Sequence, residues 1–149
     1  MLVRKQTYPM TVFCPSKDWV YHVLRTTPFD ETLRAYVANV LYEMHKPSAK
    51  DLSKDSIVLT YANAIQSGDF FEFLKIGDWS LFYCSIFYSS MNYSVVEELG
   101  RLSYGTCFRL IGKSWPVYKT LADSLPEVIF EVIKAVKNDL FDLPDHERR

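Results

Sequence analysis

A chain of 149 residues is long enough for one hydrophobic core and short for two, and 48% apolar with 23% charged residues excludes the disordered and collagen-like classes. Its 17 basic and 18 acidic residues leave a net charge of −1. No basic block is interleaved with aromatics, so nucleic acid is not expected as a partner.

Aromatic residues make up 15% of the chain, with ten Tyr and ten Phe, which suits helices packed through large side chains whose hydroxyls reach polar partners at buried boundaries or an interface. Arg4 and Lys5 are not followed by a long apolar stretch, so no signal peptide is expected. The uncharged run Trp79–Val96 touches the lower edge of membrane-spanning length. Ser80, Ser85, Ser89, Ser90, Asn92 and Ser94 interrupt it, and no membrane span is expected. Cys14, Cys84 and Cys107 lack CxxC or zinc-ligand spacing and read as free, mostly buried thiols in a reducing, cytoplasmic compartment.

In chain order, residues 1–26 form an amino-terminal arm. Thr11–Cys14 and Trp19–Leu24 are short apolar runs split by Pro15–Asp18, which predicts a small hairpin or an irregular arm anchored by Trp19 and Tyr21. A helical domain over residues 27–140 follows. Thr27 is its first predicted N-cap, with Pro28 at the first helical position and Asp30 and Glu31 at the positive end of the dipole. Phe29, Leu33, Tyr36, Val37, Val40, Leu41 and Met44 then recur on one face until Pro47.

A polar connection leads to a second helix over Ser56–Ser67, with Ile57, Tyr61, Ala64 and Ile65 as its stripe and Gly68 as its stop. Asp69 caps a third helix from Phe70 to about Tyr88. Gly77 inside it costs about 1 kcal/mol relative to Ala, which predicts a close helix crossing or a slight bend there. A fourth helix starts at Asn92 or Tyr93, thinned by Gly100, Ser103, Gly105 and Thr106. Ser114 caps a shorter helix through Ala122. Ser124-Leu125-Pro126-Glu127 is a capping box opening the last helix, which ends at Asn138 and Asp139. Residues 141–149 read as a polar tail. The fold expected is an all-α, single-domain bundle of five or six helices.

Asp78 is the one charged side chain between Ile76 and Val96. A carboxylate buried there is neutralised or needs a partner. Arg101 and Arg109 on the next predicted helix are candidates, and a bidentate pair would set the register of the two central helices. Exposure at an edge and a catalytic or ligand-binding role are the alternatives. Tyr93, Glu97, Arg101 and Tyr104, spaced four, four and three, share one side of the fourth helix. They line a polar pocket, a subunit interface or the wet edge of the bundle. His22, His45 and His146 lack HExxH or Glu-x-x-His spacing, and no phosphate loop, GxSxG or haem motif occurs. No catalytic residue, metal or cofactor is expected, and Cys84 and Cys107 read as core thiols.

The segment Gly77-Asp78-Trp79-Ser80-Leu81-Phe82 with Phe87, then Tyr93, Gly100 and Tyr104-Gly105, then Leu121–Ile129, resembles an uncharacterised family of small helical bacterial proteins. That family carries a GD-x-SLF segment followed by a helix with Tyr/Gly-x-x-x-Tyr. The similarity runs over roughly Ile57 to Val136 and implies a helical bacterial cytoplasmic protein, with no activity attached. The functional expectation is a non-enzymatic protein acting on a protein partner or as a homodimer. The alternative is a small-molecule-binding protein or enzyme with a polar pocket between the two central helices.

Overall fold

Ten buried residues spread around every side of one helix make it the centre of the molecule. That helix comes from the least charged stretch of the chain, and a helix apolar all round is a buried one. The computed structural model describes residues 16–46, 54–87, 93–111 and 115–141. Among the described residues six helices run in the order α1 (Lys17–Val23), α2 (Glu31–Met44), α3 (Lys54–Ser67), α4 (Phe70–Ile86), α5 (Tyr93–Ile111) and α6 (Val117–Phe141), with a 3-10 turn at Leu24–Thr26. There is no strand among the described residues. The expected all-α bundle is what forms, with α4 packed against α2, α3, α5 and α6.

The start of the chain departs from the expected arm. Residues 17–26 are neither hairpin nor irregular: they form α1 and the 3-10 turn, and α1 packs on α2 and α6 as part of the bundle. The Ser16 hydroxyl accepts the Trp19 amide at 3.1 Å as the cap, and Val20, Val23 and Leu24 are buried. Residues 1–15 lie outside the described part, as do residues 142–149 of the expected tail.

Thr27 is not the N-cap of α2. Pro28 biases the residue before it to extended backbone, and Thr27 sits there at φ −72°, ψ 152°. Its hydroxyl donates back to the Leu24 carbonyl at 2.6 Å, closing the 3-10 turn, and Asp30 takes over by accepting the Leu33 amide at 2.8 Å. Arg34 then locks this junction. Its guanidinium donates to the carbonyls of Leu24 (3.2 Å), Thr27 (3.1 Å) and Phe29 (2.7 Å), and to Glu31 at 2.9 Å.

Other local expectations stand. Gly68 ends α3 at φ +69°, and the Asp69 side chain accepts the Phe71 amide at 3.2 Å to open α4. The two expected carboxy-terminal helices are the two halves of α6, which kinks at Ser124, and the second half continues to Phe141 rather than ending at Asn138 and Asp139. Ser124 leaves helical geometry (φ −132°, ψ 26°), which accommodates the missing N–H of Pro126. Leu121, Leu125, Val128, Ile129 and Val132 are buried on both sides of the break. The expected cap Ser114 lies outside the described residues.

The α4–α5 seam is tight at two glycines. A Cβ on Gly77 would lie 2.8 Å from the Tyr104 ring, and one on Gly100 would lie 2.4 Å from the Ser80 Cβ. At Gly105 the nearest atom is the Ala122 Cβ at 3.6 Å, an ordinary contact.

Gly100→Ala is therefore expected to destabilise by about 1–3 kcal/mol in urea unfolding, because Ser80 Cβ is too short a branch to swing away. Gly105→Ala is expected to be neutral or stabilising by up to about 1 kcal/mol; equal losses at both positions would contradict the packing described. Arg34→Lys should cost about 2 kcal/mol, nearly as much as Arg34→Ala, since an ammonium cannot reach three carbonyls at once.

Candidate functional site

One carboxylate gathers side chains from four helices. Asp78 follows Gly77 on α4, and the missing Cβ at Gly77 is what lets the Tyr104 ring of α5 lie flat against that turn. The fully buried Tyr104 donates its hydroxyl to Asp78 Oδ1 at 2.7 Å. Tyr36 of α2 donates to the same oxygen at 2.5 Å. Tyr118 of α6 completes the cluster, its ring edge-on to Tyr36 at 5.8 Å between centroids and stacked on Tyr104 at 6.1 Å. Edge-to-face and offset contacts of this kind each add about 0.5–1.5 kcal/mol beyond area burial.

Desolvation raises the Asp78 carboxyl from 3.8 to about 6, and the two phenol hydrogen bonds partly oppose that rise. Burial, then the Asp78 charge, pushes the Tyr36 and Tyr104 hydroxyls upward, so both are firm donors. Cys107 is pushed up to about 12 by burial and the same carboxylate, and stays a thiol.

The six residues singled out in the sequence do not converge. The expected Asp78–arginine pair does not form: among the described residues no cation lies within ion-pair distance of Asp78. Arg101 points to solvent and forms a two-pronged contact with Glu98 at 3.1 and 2.6 Å. Arg109 is exposed and donates to Thr106 Oγ1 at 2.9 Å. Tyr93 donates to Glu97 at 3.2 Å, beside Cys84, and both Tyr93 and Cys84 are pushed up to about 12 by burial and then the Glu97 charge. The set thus divides into Asp78 with Tyr104, Tyr93 with Glu97, and two arginines flanking a groove of about 250 Å³ on the outer side of α5 and α6.

Helix phase explains the division. Tyr104 lies one turn beyond Gly100 on the side that meets α4, while Arg101 is rotated about 100° from Gly100 toward water. Tyr36 and Tyr118 were missed as members. The signal available was a hydroxyl-bearing residue within an apolar stripe, which needs a polar partner once buried.

A carboxyl near pH 6 is chemically able to take or release a proton near neutrality. No group of three His, Cys, Asp or Glu side chains suited to a metal ion occurs among the described residues. None of the described helices is long and apolar enough to cross a membrane. Compared with known proteins, the chain matches no protein family, no curated protein and no solved structure.

Asp78 holds its proton more tightly folded than unfolded. Its contribution to stability is therefore full below about pH 4 and is lost as pH rises through about 6. Asp78→Asn, which keeps an acceptor oxygen for both phenols, should gain stability relative to the parent across that window, by about 2–3 kcal/mol at pH 7.5. A pH-independent difference in chemical unfolding would contradict the raised carboxyl. Arg101→Gln and Arg109→Gln should each change stability by less than about 0.5 kcal/mol, as neither supports the core.

Proposed function

We propose that this is a non-enzymatic protein that works by binding protein, a second copy of itself included. The observation that carries the reading is the outer side of α3. From Ser56 to Ser67 the helix has no charged residue, and Ile57 and Ala64 fill the core on one side. On the other, Val58 is 48% exposed, Leu59 63% and Ile65 59%. Val58, Ala62 and Ile65 follow one another at spacings of four and three, so they form a single strip. Covering a large aliphatic side chain stabilises by about 1.5–3 kcal/mol, and clustered exposed apolar groups of this kind favour a contact surface. The resemblance through Gly77–Phe82 supports a bacterial cytoplasmic setting and adds no chemistry.

The competing reading, a ligand or catalytic pocket between α4 and α5, draws on the proton affinity of Asp78. Tyr104 against Gly77 and Ser80 against Gly100 occupy that seam, which favours the interaction reading.

Sedimentation equilibrium over a wide concentration range tests it. The wild type is expected to associate, and Val58→Glu with Ile65→Glu is expected to abolish association with helicity unchanged by circular dichroism. A wild type that stays monomeric and whose α3 surface forms no protein cross-links in cells would sink the reading.

A further inference from the structure

The groove between α5 and α6 differs from the α4–α5 seam in what occupies the space beside its glycine. At Gly77 and Gly100 a neighbouring side chain fills the place of the missing Cβ. At Gly105 the position is bordered by the Ala122 Cβ at 3.6 Å and by Arg109 Nη1 at 3.9 Å. Two of the smallest residues thus make a floor, and a guanidinium lies beside it.

Charge pairing around the groove is uneven. Glu98 engages Arg101 with both oxygens, and Lys119 holds Asp123 at 2.7 Å. Arg109 has no carboxylate partner among the described residues. It donates to the Thr106 hydroxyl, which itself donates to the Leu102 carbonyl at 3.1 Å. Thr106 therefore spends its proton on the helix and turns a lone pair to Arg109, holding the guanidinium over the floor. A guanidinium has five N–H donors in a planar fork, and most of these remain available to an incoming group.

We propose that this groove recognises one carboxylate or phosphate group through Arg109, with Thr106 as a positioning residue. The volume of about 250 Å³ is ample for one such group and small for a drug-sized ligand. Asp123 on the opposite wall disfavours ligands carrying several negative charges side by side. The anionic group belongs either to a free small molecule or to an acidic side chain of another protein. This site is separate from Asp78, and Tyr61 of α3 also borders it.

Amide-detected NMR titrations at constant ionic strength test the proposal with three probes: inorganic phosphate, succinate and a capped tripeptide with one central glutamate. Saturable shifts are expected at Gly105, Thr106, Arg109, Ala122 and Asp123, with an affinity of about millimolar order for so exposed a charge. Arg109→Gln should weaken binding about tenfold, the loss of one charge-assisted contact. Thr106→Val, which keeps the charge and removes its anchor, should weaken it less. Arg25→Gln, at an exposed arginine on the 3-10 turn, should leave it unchanged. Saturation by phosphate or succinate supports the proposal with a free anion as ligand; saturation by the peptide alone supports it with a protein-borne carboxylate. No saturation with any probe, or equal binding by Arg109→Gln with its spectrum otherwise preserved, overturns it.

Discussion

Along the seam between α4 and α5, each helix gives up a side chain where the other presents one: Gly77 receives the ring of Tyr104, and Gly100 receives Ser80. These two reciprocal contacts allow a closer approach than two ordinary helices make and lock both the axial register and the rotation of α5. Everything at the centre depends on that lock. With Tyr104 seated on Gly77, its hydroxyl can land only near the following residue, Asp78, and α2 and α6 then close over the pair with Tyr36 and Tyr118.

The carboxylate at this centre is held by neutral donors where a cation was expected. Phenols are amphipathic: the rings of Tyr36, Tyr104 and Tyr118 add apolar contact on three helices while the hydroxyls of Tyr36 and Tyr104 meet one oxygen, so little water-seeking surface is carried inward. A guanidinium in the same place would need further acceptors for its remaining N–H groups. The consequence is a carboxyl whose ionisation is costly, a device that ties four helices together at the expense of some stability near neutrality.

The proposed contact surfaces both lie on the outside of the bundle. The apolar strip of α3 and the arginine-bordered groove of α5 and α6 are chemically unlike, one suited to an apolar surface and the other to a single anionic group. Neither includes Asp78. The residue that dominates the sequence by its isolation is buried beneath two phenols, and the two proposed surfaces lie on helices whose exposed residues look ordinary in the sequence.

Much of the fold was legible in short-range pattern. The 3.6-residue periodicity of α2, the Gly68 stop, the Asp69 cap, the break at Ser124 before Pro126 and the close crossing at Gly77 all follow from rules that act within a few residues. So does the demand that Asp78 find a partner. What only the tertiary structure decided was which partner, because that depends on how far α5 is rotated against α4. That rotation is set by Gly100 meeting Ser80, a contact between residues 20 positions apart. The same holds at the start of α2, where Thr27 was the expected cap. The choice fell to Asp30 once Pro28 held Thr27 extended and Arg34 gathered the carbonyls of the 3-10 junction. Local sequence states which groups need satisfaction; the relative placement of whole helices determines what is within reach to satisfy them.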